Sequence, residues 1–258
     1  MMRVGSASTM QRLRDSGGQL PTEPQQLVAA EGAVANNPGV NQEWSMAALK
    51  KDPRKFLRNV VQLDGALGST LDRTACGPTS LLMGMISGRP ESIQELAGKL
   101  VDAKGNLTGF GKNLAQNAVR GMKPEVREAR AAEVREELQQ AATRLRDGRA
   151  FTPADVTTLA NCMQGVETLA GAAPNDLREA AIAIERLGVK VPPMELQLFG
   201  KPDGTMGHWR VVSRGTQFNP WPNDKGQSTQ LPAKQGLESG KRDGAGWVLR
   251  DTVTVGSD

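Results

Sequence analysis

The sequence predicts an α+β protein: a long helical segment followed by a C-terminal antiparallel sheet. Three observations carry that prediction. From Trp44 to about Leu187 apolar residues recur at helical spacing, whereas after Gly188 they alternate. Turn signals, Pro202-Asp203-Gly204 and Ser213-Arg214-Gly215-Thr216, separate the alternating stretches, which is how short antiparallel strands are punctuated.

Residues 1–42 are rich in Gly, Ser, Gln, Asn, Pro and Ala and keep no helical or strand period. Such a stretch buries too little apolar surface to offset its chain entropy, so it is predicted to be a flexible arm, with residues 43–258 forming the folded domain. Deleting the arm is expected to leave melting temperature and activity almost unchanged. Arg3, Arg12 and Arg14 occur there without an apolar core, so no cleavable secretory signal is expected. A start of this kind is compatible with export by a specialised secretion machine and offers a place for a secretion chaperone or carrier.

The clearest helix has Ile93, Leu96, Ala97, Leu100 and Val101 on one face. A second begins with Thr152 as N-cap, Pro153 in the first turn and Asp155 three residues after the cap, then aligns Val156, Leu159, Ala160, Met163 and Val166. A third is expected to be capped by Asn175 and stopped by Gly188. The charged run 124–147, with its thin stripe of Val134, Leu138 and Leu145, is read as a solvated helix with no functional role. Val189 and Val191, then Met194, Leu196 and Leu198, then Trp209 and Val211, and finally Trp247, Leu249, Val253 and Val255 mark the sheet, with 222–246 as a long surface loop.

With 258 residues, 38% of them hydrophobic, the chain can bury a sizeable core without disulfides or a structural metal. No stretch approaches the roughly 20 apolar residues of a membrane span, so none is expected. The 32 basic residues are interleaved with 28 acids for a net charge of +4, and four Trp, five Phe and no Tyr leave few rings to stack bases. Nucleic acid is therefore not an expected partner. Two cysteines and one histidine cannot complete a soft four-ligand zinc site, and no cofactor or metal is implied. The same scarcity makes His208 the one ordinary candidate for acid–base chemistry near neutral pH.

Cys76 lies in Thr74-Ala75-Cys76-Gly77-Pro78-Thr79-Ser80, followed by Leu81, Leu82, Met85 and Ile86 on one helical face. A cysteine at a helix N-terminus faces unpaired N–H groups and the positive end of the dipole, which favour a thiolate and can stabilise an oxyanion. The other reading of Cys76 is a small buried apolar residue at a helix start. His208 sits in the strand-like Gly207-His208-Trp209-Arg210-Val211-Val212, and Asn219 follows eleven residues on, in Gln217-Phe218-Asn219-Pro220. A histidine there can take a thiol proton if an amide or carboxylate on the next strand fixes its tautomer. Asn219 is preferred as that group because Pro220 holds its backbone extended; Asp224, beyond Pro222 in a Gly/Lys-rich loop, is the alternative third member.

Taken together, Cys-Gly-Pro at the start of an apolar helix, then Gly-His-Trp on a later strand, then Asn-Pro on the next, resembles the papain-like cysteine peptidases, in particular bacterial members related to bacteriocin-leader peptidases. The resemblance covers residues 76–87 and 207–221. It implies a papain-like α+β fold in which a helical lobe carries Cys76 and packs on the sheet bearing His208 and Asn219, so that 43–258 is a catalytic domain. It also implies hydrolysis of a peptide or isopeptide bond in a protein or peptide substrate, through a thioester. These enzymes usually carry a Gln or Asn about half a dozen residues before the nucleophile for the oxyanion, and here that stretch is Gly68-Ser69-Thr70-Leu71-Asp72. The oxyanion candidates are therefore Gln62, Ser69 and Thr70, beside the backbone N–H groups.

Combined with the arm, the resemblance suggests a secreted bacterial effector or toxin delivered without a cleavable signal, or otherwise a cytoplasmic protein. The same triad serves a protein glutamine deamidase or a peptidoglycan amidase. A catalytically silent binding module on the same scaffold is the reading from a different class.

Overall fold

The computed structural model describes residues 24–63, 75–120, 122–164, 166, 176–201, 207–233 and 247–257. The helices among them are α1 (Pro24–Ala35), α2 (Met46–Lys51), α3 (Pro53–Leu57), α4 (Cys76–Gly88), α5 (Glu91–Leu100), α6 (Gly109–Ala118), α7 (Pro124–Asp147), α8 (Pro153–Cys162) and α9 (Leu177–Arg186). Five strands follow: β1 (Met194–Gly200), β2 (Gly207–Ser213), β3 (Thr216–Asn219), β4 (Thr229–Pro232) and β5 (Val248–Val255). They form one antiparallel sheet in the order β4-β3-β2-β1-β5. The protein is thus α+β, with its helices preceding a C-terminal antiparallel sheet.

Local chemistry accounts for the helix starts. Thr152 and Asp155 form a reciprocal capping box at α8, and the Arg144 guanidinium on α7 grips the buried Asp155 carboxylate from outside. α9 is capped by Asp176, whose side chain accepts from the Glu179 N–H, one residue after the expected Asn175; Gly188 beyond it has φ +77°, as a helix-ending glycine requires. α7 buries Val134, Leu138 and Leu145 together with Ala131, Ala141 and Ala142, and exposes its charges. Val189 and Val191 are buried but precede the sheet, which starts at Met194.

Helix α4 is buried along its whole length and is the centre of the core. Its sheet-facing stripe is Gly77, Ser80, Gly84 and Gly88. A Cβ on Gly84 would stand 2.8 Å from Val211 Cγ2 and collide with Met194 Sδ, and one on Gly88 would lie 2.6 Å from Pro192. Small residues at this spacing let the helix backbone settle directly onto β1 and β2. Leu81, Leu82, Met83, Met85 and Ile86 fill the remaining faces against the other helices.

Two expectations are corrected. Residues 24–42 are not a flexible arm: Ala30, Val34 and Val40 form a second small core with Val61 and Leu63, against which Ala154 and Trp221 pack. The folded part of the described chain therefore includes residues 24–42 and does not begin at residue 43. Sparse but well-placed apolar residues suffice there because the rest of the domain supplies the other half of the core. The loop expected over 222–246 contains β4, which pairs Thr229–Pro232 with β3. Residues 1–23, the Pro202-Asp203-Gly204 turn and 234–246 lie outside the described residues. No helix among the described residues is long and apolar enough to cross a membrane.

Candidate active site

β2 and β3 are joined by the two-residue turn Arg214-Gly215, with φ +46° and +72°, and pair from Ser213↔Thr216 to Val211↔Phe218. The pairing ends there, and among the described residues no strand pairs with Trp209 on that side. Helix α4 takes the strand's place: Ser80 Oγ donates to the Trp209 carbonyl at 3.0 Å, and the Trp209 N–H donates to the Cys76 sulfur. The N–H groups of Gly77 and of Cys76 itself also point to that sulfur, as the unpaired donors of a helix start do. Ser80, one turn beyond Cys76, holds the helix in register with the strand. Its signal in the sequence is a small polar residue at i+4 from the cysteine, a spacing that shares its face.

The Trp209 indole lies on the α4 side, where a Cβ on Gly77 would meet its Cδ1 at 3.4 Å. Strand alternation puts His208 on the opposite face of the sheet from the Trp209 indole, together with Asn219. His208 is 7% exposed and has the Trp247 ring edge-on at 6.0 Å between centroids. Its Nε2 lies 2.6 Å from Asn219 Oδ1, which also accepts the Trp221 N–H at 3.0 Å. A backbone N–H can only donate, so the Asn219 atom it reaches is the oxygen. Nε2 must then be the donor to that oxygen, and Nδ1 is the nitrogen through which a proton can be accepted. Asn219 thus closes the turn before Pro220 and fixes the imidazole tautomer at once. Asp224 is exposed in the turn between Asn223 and Gly226. If His208 acts as a catalytic base, Asn219→Ala is expected to reduce turnover by roughly 10²–10⁴-fold, the range lost with tautomer control of such an imidazole, while Asp224→Ala leaves it unchanged. The opposite result from steady-state rates of the two variants would make the aspartate the third member.

Gln62 is fully buried, and its N–H donates to the carbonyl of Pro220 at 3.1 Å, which anchors it beside the segment that carries Asn219. The preceding Val61 carbonyl accepts the Thr157 hydroxyl at 2.7 Å. Of the three oxyanion candidates Gln62 is described; Ser69 and Thr70 lie outside the described residues.

The thiol departs from expectation in one respect. Cys76 is 5% exposed, and burial pushes its thiol up from the ordinary value in spite of the three N–H donors that pull it down. The helix-start effect is present but outweighed, so the resting sulfur is protonated. Alkylation by iodoacetamide should then accelerate steadily as pH rises through and beyond neutrality, without a neutral plateau, and should mark Cys76 ahead of the fully buried Cys162. A rate flat between pH 6 and 8 would indicate a preformed thiolate instead. Because the native state holds this proton more tightly than the unfolded chain, the associated stability is complete below about pH 8.5 and is lost as pH climbs through the raised value. Wild type should therefore lose more melting temperature than Cys76→Ala in that alkaline window.

Comparisons with family models, curated proteins and solved structures found no match to this chain. Among the described residues no cluster of three or more His, Cys, Asp or Glu side chains could hold a metal ion.

Proposed function

We propose that the protein is a cysteine-dependent hydrolase of peptide or isopeptide bonds, with a papain-like arrangement of Cys76, His208 and Asn219. The observation that supports this reading is the pairing of two contacts on adjacent residues of β2. Trp209 holds the sulfur through its N–H, and His208 is held in the Nε2–H tautomer by Asn219.

In this reading His208 Nδ1 accepts the thiol proton as the sulfur attacks the substrate carbonyl, since the resting thiol is protonated. The tetrahedral oxyanion is stabilised by backbone N–H groups at the start of α4, with the Gln62 amide as a second donor. Imidazolium then protonates the leaving amine, the thioester forms, and water activated by the same imidazole hydrolyses it to regenerate the thiol. Every proton in the cycle passes through one nitrogen, so the tautomer set by Asn219 matters at both steps.

The test is incubation of wild type and Cys76→Ala with candidate proteomes, followed by mass spectrometry of peptide termini and of glutamine residues. New chain ends made only by wild type support the peptidase reading. Release of ammonia with conversion of glutamine to glutamate would move the same triad to deamidation. Failure of Cys76 to react with any thiol probe at neutral or alkaline pH in the folded protein would leave a silent binding scaffold.

A further inference from the structure

Two amides of the proposed site, Gln62 and Asn219, sit on different parts of the chain, and the structure assigns to Asn37 the role of tying those parts together. We infer that Asn37 is a positioning residue of the site; the inference rests on the triad reading above. Asn37 is 8% exposed. Its Oδ1 accepts the Gly39 N–H at 3.0 Å and so caps the 3₁₀ turn Pro38–Asn41. Its Nδ2 donates twice, to Asn59 Oδ1 at 3.1 Å and to the Gly226 carbonyl at 2.9 Å. Asn59 precedes Gln62 by three residues, and Gly226 closes the loop that follows Asn219 and Trp221.

The surrounding contacts make this bridge specific. Gly226 has φ +66° and lies so close to α1 that an added Cβ would stand 2.6 Å from the Ala33 carbonyl carbon. A Cβ on Gly39 would stand 2.6 Å from Asn59 Oδ1, so the capped turn lies flush on Asn59. The loop is fastened to the same segment again by the Ser228 N–H and hydroxyl, on the carbonyls of Arg58 and Leu57 at 2.8 and 2.7 Å. Trp221, whose N–H helps fix Asn219 Oδ1, packs on the small core built by Val34, Val40, Val61 and Leu63. Asn37 is thus one side chain whose two donors join the Gln62 segment, the Asn219 loop and the N-terminal helix. Loosening it lets the Asn219 carboxamide drift from His208 while α4 and its core stay in place.

The chain has a single histidine, so nitrogen-15 labelling of histidine reports on His208 alone. Wild type should show the Nε2–H tautomer with a slowly exchanging ring proton, and Asn219→Ala should abolish both. Asn37→Ala should speed exchange of that proton at least tenfold and lower turnover with little change in KM, although Asn37 touches neither His208 nor Cys76. Asn37→Ser, which can still cap Gly39 but cannot span the bridge, should behave like Asn37→Ala and serves if the alanine variant does not fold. An unchanged ring proton in a folded Asn37→Ser, with the signal lost in Asn219→Ala, would overturn the role of Asn37 and leave the triad intact. An unchanged signal in Asn219→Ala would overturn the triad reading itself.

Discussion

Replacing His208 with alanine should lower turnover by roughly 10³-fold or more while the protein still folds, because the sulfur is protonated at rest and no other imidazole exists to accept its proton. The structural cost is separate and smaller. The imidazole is buried against Trp247 and hydrogen-bonded to Asn219, but Asn219 Oδ1 keeps its bond from the Trp221 N–H, so that acceptor stays satisfied. A loss of about 1–3 kcal/mol is the scale for such a deletion. The measurement is a rate on any turned-over substrate, set beside thermal melting of the same sample. Full turnover by a folded His208→Ala would remove the histidine from the chemistry, and collapse of the fold would make it a structural residue.

Removing residues 1–42 should lower the melting temperature by roughly 10 °C. That deletion takes away Ala30, Val34 and Val40 and uncovers Val61 and Leu63, which are fully buried in the intact chain. Burial of a valine or leucine side chain is worth about 1.5–3 kcal/mol, so a net loss of several kcal/mol survives the entropy regained by the freed chain. The bonds from Asn37 to Asn59 and Gly226 disappear with it. Calorimetry of the truncated chain checks this, and a transition within a couple of degrees of wild type would show that the second core contributes little.

The site was legible where chemistry is local. A cysteine ahead of an apolar helix, a histidine in an alternating stretch and an asparagine before a proline announce their own backbone settings, and the hydrogen bond between His208 and Asn219 follows from adjacent strands. Three things were not legible. The thiol's upward shift depends on burial by residues far along the chain, which no local pattern encodes. The exchange of partner at Trp209, from β3 to α4, appears only once the pairing of β2 with β3 is seen to end at Val211. The N-terminal helix was hidden because its apolar residues are mostly alanines, which bury little surface by themselves; Ala30 and Val34 gain meaning from Val61, Leu63 and Trp221, which supply the other side of the cluster.

The bond from Ser80 to Trp209 spans 129 positions of sequence, and the thiol's own contact with Trp209 is as non-local. Contacts of such range close late, since the loop between them must lose its freedom before any reward is gained. While the chain is still being made, Cys76 is therefore an ordinary exposed thiol on a helix with nothing beneath it. His208 and Asn219 emerge more than a hundred residues afterwards. On the proposed triad the cysteine gains its partners only after β3 has been made and has paired with β2, so timing is built into the topology itself.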